Sequence, residues 1–299
     1  MSFFLQFRGE LAALAAALIW ACGSIVYTGV GRQITPLALN FTKGWIAIVL
    51  LGLTFLLTGQ SFPAIEPAAF SLLFLSGVIG IGFGDTAYFK ALNCIGARRT
   101  LLFETLAPPL SAILALIFLQ ERLSGSAWLG IGLTIAGVVW VILERVSDRH
   151  ENFRPLQGSL YGLLAAIGQA AGAVLSRSAL IQTDIDSLWS TLIRLIGGTI
   201  ALLIWILLQR QISETLKPLK DRRLLVVIAG TAFISTYLGI WLQQTSLKFA
   251  TTGIAQALSS TSPLFVLPIS WAMGDRISLR SFFGVLVSLL GVALLFHRQ

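Results

Sequence analysis

A long hydrophobic unit occurs twice in this sequence, and this repetition constrains the fold more than any other feature. Six residues of the first unit recur 154 positions later: Pro109, Glu121, Arg122, Ser124, Gly130 and Gly137 correspond to Pro263, Asp275, Arg276, Ser278, Gly284 and Gly291. Six matches at one interval are hard to obtain by chance. We therefore expect two copies of one structural unit, residues 1–146 and 156–299, joined by a polar linker at 147–155.

The composition determines the medium in which these units fold. The 299-residue chain is 56% hydrophobic and only 11% charged, and its mean hydropathy is +0.85. Soluble globular domains carry about 25% charged residues. The chain is therefore expected to be a multi-pass integral protein of the cell (inner) membrane, with no length left for a soluble catalytic domain.

Apolar stretches separated by turn-forming residues predict ten helices, each close to the roughly 20 residues that cross a bilayer. They lie near 10–30, 36–58, 68–91, 97–120 and 126–145, and near 157–178, 187–209, 222–245, 249–272 and 279–297. Because each unit holds an odd number of helices, the second unit enters the membrane upside down. The predicted fold is all-α, with ten transmembrane helices arranged as two inverted five-helix repeats, as in many secondary transporters.

Charged residues inside the spans are the strongest functional signal, because a central charge costs at least about 2.5–3.5 kcal/mol on insertion scales. Asp85 and Glu104 lie at similar depth on either side of a turn expected near Gly96, and Lys43 enters from the same side. These three residues are predicted to cluster, whereas Lys90 points away from Asp85 and extends toward the turn. The cluster acts either as a proton relay or as a static ion network, and both alternatives stay open.

The second unit is neutral where the first is charged, since Gly239 corresponds to Asp85 and Leu258 to Glu104. Its hydrogen-bonding and aromatic residues, with those of the first unit, suit an uncharged or zwitterionic ligand, although such residues also hold helices together. The candidate ligand contacts are Trp20, Tyr88, Gln169, Trp241, Gln244, Gln256 and Ser259. Pro108, Pro109 and Pro263 are expected to interrupt the fourth and ninth helices near this level, or to kink them for packing.

The repeated segments Pro108-Pro109…Glu121-Arg122-Leu123-Ser124…Gly130…Gly137 and Pro263…Asp275-Arg276-Ile277-Ser278…Gly284…Gly291 resemble the drug/metabolite transporter superfamily, in its ten-helix EamA-type branch. The resemblance covers essentially the full length and implies a secondary transporter, most simply an exporter of amino acids or related metabolites. A translocator of lipids or lipid-linked sugars is the alternative. The Glu-Arg pair itself is interpreted as structural, with Glu121 capping the helix that follows and Arg122 lying at headgroup level.

An enzymatic alternative rests on Gly82-Phe83-Gly84-Asp85, which resembles the signature of intramembrane aspartyl proteases. That chemistry needs a second intramembrane aspartate, and every other aspartate falls in a loop or at a helix end. Cys22, Cys94 and the two histidines form no metal or nucleophile site, and no phosphate-binding loop occurs, so no cofactor is expected. The sequence thus favours a transporter over an enzyme.

The net charge of +8 comes from basic residues scattered through short connections, which is typical of anchoring at the bilayer surface rather than of nucleic-acid binding. The more basic membrane side includes Arg98, Arg99, Arg222 and Arg223. The positive-inside rule places that side in the cytoplasm and both termini outside. Relatives that the resemblance implies are usually drawn with cytoplasmic termini, so the orientation stays open, as does the oligomeric state.

Overall fold

The computed structural model describes residues 3–30, 33–142, 154–210, 212–216, 220–265, 268 and 279–295. In the described chain the first half forms a four-residue helix, Phe3–Gln6, and six longer ones: α1 (Arg8–Val30), α2 (Pro36–Thr58), α3 (Pro67–Gly77), α4 (Thr86–Glu104), α5 (Ala107–Phe118) and α6 (Gly125–Ile142). The second half forms a five-residue helix, Ile212–Leu216, and six longer ones: α7 (Pro155–Gln182), α8 (Ser187–Leu208), α9 (Arg222–Thr231), α10 (Gly239–Phe249), α11 (Thr252–Ser259) and α12 (Leu279–Leu295). Most of the predicted linker and the motif residues Asp275, Arg276 and Ser278 lie outside the described residues.

Two π-helical segments join neighbouring helices, and the sequence did not predict them. Val78–Asp85 connects α3 to α4, and Ala232–Leu238 connects α9 to α10. The two segments begin at positions 154 residues apart, which is the interval of the sequence repeat. A π-helix leaves part of the backbone ladder out of register and is frequent at functional sites. The third helix of each unit therefore carries the same local irregularity at the same place.

Helix α4 is not straight: its contacts with α7 show that it bends back on itself between Ile95 and Phe103, close to the turn expected near Gly96. Along α7, Gly158 contacts the side chain of Ile95, Gly162 contacts Phe103, and Gly168 lies against Gly84. Along α7, the level of Phe103 therefore lies between the levels of Ile95 and Gly84. In a straight helix Phe103 would lie beyond Ile95, farther from Gly84. The reversal brings Asp85 and Glu104, the two ends of this hairpin, to the same level.

Eight helical stretches of the described chain are long and apolar enough to cross a membrane, by length and composition. They include Pro67–Ile95 and Arg222–Phe249, each of which runs through a π-helical segment. A shorter apolar helix follows at Phe282–Leu295. The predicted ninth helix is described only from Thr252 to residue 265 and at 268, so the described residues support eight of the ten expected spans by these criteria.

Glycines allow unusually close packing at two places in the interior. Gly77 lies against the backbone of Arg194, and Gly197 lies against the carbonyl of Phe74, so α3 and α8 touch through their backbones. Helices α6 and α12 pack in the same way, with Gly130 against Gly291 and Gly137 against Gly284. This crossed order of contacts means that α6 and α12 run antiparallel.

Candidate functional site

A cavity of about 390 Å³ lies between the two halves of the chain. Its lining residues come from both halves and from α1, α2, α4, α5, α7, α8, α10, α11 and both π-helical segments. The polar and charged ones are Trp20, Ser24, Tyr27, Lys43, Asp85, Tyr88, Glu104, Thr105, Gln169, Arg194, Ser235, Thr236, Gln243, Gln256, Ser259, Ser260 and Ser262. The cavity thus holds two basic and two acidic side chains within an otherwise apolar bundle.

The cavity extends from the middle of the bundle toward one membrane side. Leu92 and Leu101, which flank the chain reversal, line it. On the opposite side the lining stops near mid-span, at Pro108 in α5 and Gln243 in α10. The cavity is therefore directed toward the side that holds the turn between Ile95 and Phe103.

The Asp85 carboxylate is held by both halves of the chain. Lys43 Nζ lies 2.6 Å from Asp85 Oδ2, and the two side chains are 9% and 17% exposed. Gln169 Nε2 donates to Asp85 Oδ1 at 3.0 Å. Since a buried charge is stable only when paired and hydrogen-bonded, this arrangement satisfies Asp85 and links α2 to α7.

Arg194 is the counterpart of Lys43 in the second half, but it has no acidic partner among the described residues. Its side chain is almost completely buried, with 1% exposure for the residue. Arg194 Nη1 donates to Gln243 Oε1 at 3.2 Å and to Gln244 Oε1 at 3.0 Å, while Nε has no partner. Gln244 in turn donates to Ser190 Oγ. Amides thus replace the carboxylate that pairs with Lys43.

Each π-helical segment offers a backbone carbonyl at an equivalent position, and a different side chain binds each one. Asn40 Nδ2 donates to Ile81 O at 2.9 Å, and Trp20 Nε1 donates to Ser235 O at 2.9 Å. Ile81 and Ser235 are 154 residues apart. The Trp20 indole also lies where a side chain at Gly239 would project. Trp20 therefore occupies the space in the second half that corresponds to Asp85 in the first.

Two helical breaks lie beside the cavity, one between α4 and α5 and one directly after α11. α4 ends at Glu104 and α5 begins at Ala107, while α11 ends at Ser259. Pro108 and Pro109 have no N–H, so the carbonyls of Glu104 and Thr105 lose their usual helical donors. Pro263 likewise removes the usual helical donor to Ser259 O, which instead accepts a hydrogen bond from Ser262 Oγ at 3.2 Å. Pro108 and Pro263 line the cavity and Pro109 does not.

The structure brings most of the predicted site residues together. Five of the seven candidate ligand contacts line the cavity, as do all three members of the predicted charge cluster: Trp20, Tyr88, Gln169, Gln256, Ser259, Lys43, Asp85 and Glu104. Trp241 and Gln244 are not among the lining residues, and Gln244 is fully buried against Arg194. Lys90 does not pair with Asp85 and lies over the rings of Trp205 and Tyr161, at 4.8 and 5.4 Å.

A polar contact closes the bundle on the side away from the cavity mouth; we call it the latch and define it as Glu121, Arg177 and the turn 247–252. Arg177 Nε lies 2.6 Å from Glu121 Oε1. Arg177 Nη1 donates to the carbonyls of Leu247 and Lys248 at 2.8 and 2.9 Å. Thr252 N donates to Glu121 Oε2 at 2.9 Å. The latch joins the first half to the second through one buried carboxylate.

The latch corrects the expectation that Glu121 caps the helix that follows it. Glu121 instead caps α11, which is 131 residues away, through Thr252 N. The following helix, α6, is capped by Ser124, whose Oγ accepts from Ala127 N at 3.1 Å. Glu121 thus has a structural contact, but with a distant helix rather than with the helix that follows it.

Two of the three described aspartates outside the cavity, Asp186 and Asp221, cap helices through their side chains. Asp186 accepts from Ser187 N at the start of α8, and Asp221 accepts from Arg223 N and Leu224 N at the start of α9. In the described part of the chain, no second aspartate lines the cavity with Asp85. The aspartate pair that the protease hypothesis requires is therefore not formed by these residues.

Comparison with known proteins agrees with this architecture. A model of the EamA-like transporter family matches residues 7–143 and again 156–297. An uncharacterized transporter of Archaeoglobus fulgidus is 27% identical over 292 residues, which cover 95% of this chain and 96% of the relative. A crystal structure of a protein 17% identical in sequence superposes with a TM-score of 0.76, covering 97% of this chain and 96% of that one, which supports the fold alone.

Two further relatives match over a shorter stretch. The uncharacterized transporter YvbV of Bacillus subtilis is 30% identical over 139 residues, 44% of this chain and 44% of the relative. Solute carrier family 35 member F6 of Mus musculus is 30% identical over 135 residues, 43% of this chain and 36% of the relative. The matched stretch spans less than half of either relative. The two family matches together cover most of the chain, which is a multi-pass integral membrane protein and belongs to the EamA-like transporter family.

Proposed function

We propose that this protein is a secondary transporter that exports small polar metabolites, amino acids or related compounds, across the cell membrane. In this proposal two inverted five-helix repeats, residues 1–146 and 156–299, alternate in opening the central cavity to either side. The observation that carries it is a central cavity that both halves line, that contains four charged side chains among mostly apolar ones, and that the latch closes on one side. A single central site with one closed side is the arrangement that alternating access requires.

Three features support the inverted repeat and its ten helices. The family model matches each half separately. The π-helical segments begin at equivalent positions. Helices α6 and α12 occupy equivalent places in the two halves and run antiparallel, as inversion of one half demands.

The proposed direction, export, takes the open side of the cavity as the loading side. The mouth lies on the side of the turn between Ile95 and Phe103, and the sequence predicts that this turn belongs to the more basic membrane side. The positive-inside rule places such loops in the cytoplasm. A cavity open to the cytoplasm is ready to load a metabolite for export. Reporters active in only one compartment, fused to each terminus, test this orientation.

Coupling to a proton gradient is assigned to the Asp85 network. Asp85 bonds to Lys43 in one half and to Gln169 in the other, so a rearrangement of the halves changes the partners of its carboxylate. A carboxylate whose partners change between states is suited to gain and lose a proton. The competing account is a static ion network that holds the halves together.

Transport by the purified protein in liposomes tests the proposal. A panel of radiolabelled amino acids and related metabolites is offered with and without a pH gradient, and at least one is expected to accumulate. Protein-free liposomes and the Ser260→Trp variant, which fills the cavity from a half-buried lining position, should show no accumulation. Movement of labelled lipids without movement of any solute would replace this proposal with lipid translocation.

A further inference from the structure

Two buried oxygen atoms beside the cavity have no hydrogen-bond partner. They are Glu104 Oε1 and Ser259 Oγ, and both residues line the cavity. Ser259 is 6% exposed. An unsatisfied buried polar group is costly, and a carboxylate more so. These two atoms therefore indicate places on the cavity wall where a ligand supplies a missing partner.

The surroundings of Glu104 are rich in acceptors and poor in donors. The carbonyls of Glu104 and Thr105 lack their helical donors because of Pro108 and Pro109. The ion pairs of the described chain are Lys43–Asp85 and Arg177–Glu121, so Glu104 has no lysine or arginine within ion-pair distance there. The position therefore favours a group that donates several hydrogen bonds and carries positive charge.

An alkylammonium group has this chemistry, with three N–H donors and no acceptor. The cavity walls add the aromatic rings of Trp20 and Tyr88 and the apolar side chains of Ile81, Leu101 and Ile240. Aromatic faces attract cations, and the apolar residues suit a hydrocarbon group attached to the ammonium. A bare metal cation is less well matched, since no group of three or more His, Cys, Asp or Glu side chains occurs in the described chain.

We propose that Glu104 and Ser259 form the subsite that receives the ammonium group of the ligand, so that the cavity selects compounds with a primary ammonium group beside an apolar group. The inference rests on the proposed function, which makes this cavity the transport site. It assigns Glu104 to ligand recognition and leaves the Lys43–Asp85–Gln169 network to coupling.

Calorimetric binding to the purified protein in lipid nanodiscs tests the subsite with probes that share one branched apolar tail. L-leucine and 3-methylbutylamine carry the ammonium group, 4-methylpentanoate lacks it, and 3-methylbutyl-trimethylammonium keeps the charge without N–H donors. The first two are expected to bind, and the acid and the trimethylated amine to bind at least about tenfold more weakly. Sodium chloride alone should give no binding heat.

Variants then locate the effect. Glu104→Gln should weaken 3-methylbutylamine binding at least about tenfold, and Ser259→Ala should weaken it less. Glu104→Asp keeps the charge and should keep the preference for the amine over the acid. Ser71→Ala is the control, because Ser71 is exposed outside the cavity and its hydroxyl donates to Pro67 O at 2.7 Å; its affinity should equal that of the wild type.

Equal binding of the acid and the amine by the wild type would overturn the inference, and this comparison needs no variant. Three further results would also overturn the inference. They are equal binding of the trimethylated amine, saturable binding of sodium, and an unchanged affinity for 3-methylbutylamine in a folded Glu104→Gln variant. If none of the probes binds while the liposomes transport other solutes, the subsite is wrong and the proposed function stands. If the liposomes transport no solute, the proposed function itself fails.

Discussion

Removal of the negative charge from the latch should open the side of the protein that is closed in this structure. Glu121 accepts two hydrogen bonds, from Arg177 Nε at 2.6 Å and Thr252 N at 2.9 Å, and the paired side chains are only 13% and 10% exposed. Charge-assisted hydrogen bonds contribute about 1.5–3 kcal/mol each and are roughly twice as strong as neutral ones. Glu121→Gln keeps the shape, but the neutral amide ends the ion pair with Arg177 and its NH2 group cannot accept the second of the two hydrogen bonds, which costs about 1.5–3 kcal/mol in the closed state. The open population should therefore rise about 10- to 100-fold.

Thiol labelling measures this population. Ala257 lies in α11 and is fully buried, so Ala257→Cys, with Cys22 and Cys94 replaced by serine, reports on opening. The rate of labelling by a membrane-impermeant maleimide applied from the latch side should rise about 10- to 100-fold when Glu121→Gln is added. Glu66→Gln is the matched control, because Glu66 is exposed on the same side and makes no side-chain cap.

An unchanged labelling rate in the Glu121→Gln variant would refute the latch. An equal rise in the Glu66→Gln control would refute it too, because opening would then not depend on the Glu121 contacts. Thermal unfolding of each variant separates opening of the latch from general loss of structure.

Further substitutions test the interior contacts. Asp85→Asn leaves Lys43 charged and buried without its partner, so the melting temperature should fall by an amount equivalent to about 3–5 kcal/mol, and adding Lys43→Met should recover part of the loss. A double variant as unstable as the single one would contradict the ion pair. Loss of pH-driven uptake by the double variant, with solute exchange retained, would favour proton coupling over the static network. Trp20→Phe removes the donor to the second π-helical carbonyl and should cost about 1–3 kcal/mol in a denaturation experiment, whereas no change would show that the carbonyl finds another donor. Gly77→Ala should prevent stable folding because the added Cβ meets the α8 backbone. Gly52→Ala is the control: a Cβ at this position projects into open space, so the variant should be neutral or stabilised by up to about 1 kcal/mol. Equal melting temperatures of the two variants would contradict the close packing.

Hydropathy and the internal repeat predicted the multi-pass helical membrane fold and the family, both of which are confirmed. The cluster of Lys43 and Asp85 followed from depth alone, because buried charges at one level have few other ways to be stabilised. The sequence analysis assigned no role to Arg194. Its amide partners depend on the packing of α8 against α10, which no local pattern encodes.

The π-helical segments were missed for a different reason. A π-helix differs from an α-helix by one residue in the hydrogen-bond register, and an apolar span hides that difference because nearly every face is hydrophobic. The long-range cap formed by Glu121 was missed because its partner, Thr252, is brought near only when the two halves pack. Local capping rules select the nearest helix start, and here Ser124 already occupies it.

The matching positions of the two π-helical segments also bear on the ancestry of the chain. A π-helix is a rare departure from the α-helical register, and the two segments begin 154 residues apart, at the interval of the repeat. If the proposed five-helix units arose by duplication of one ancestor, a single such irregularity in that ancestor accounts for both segments. Divergence then gave the two copies different partners for the exposed carbonyl, Asn40 in one and Trp20 in the other. The irregularity is thus older than the asymmetry of the cavity that it borders.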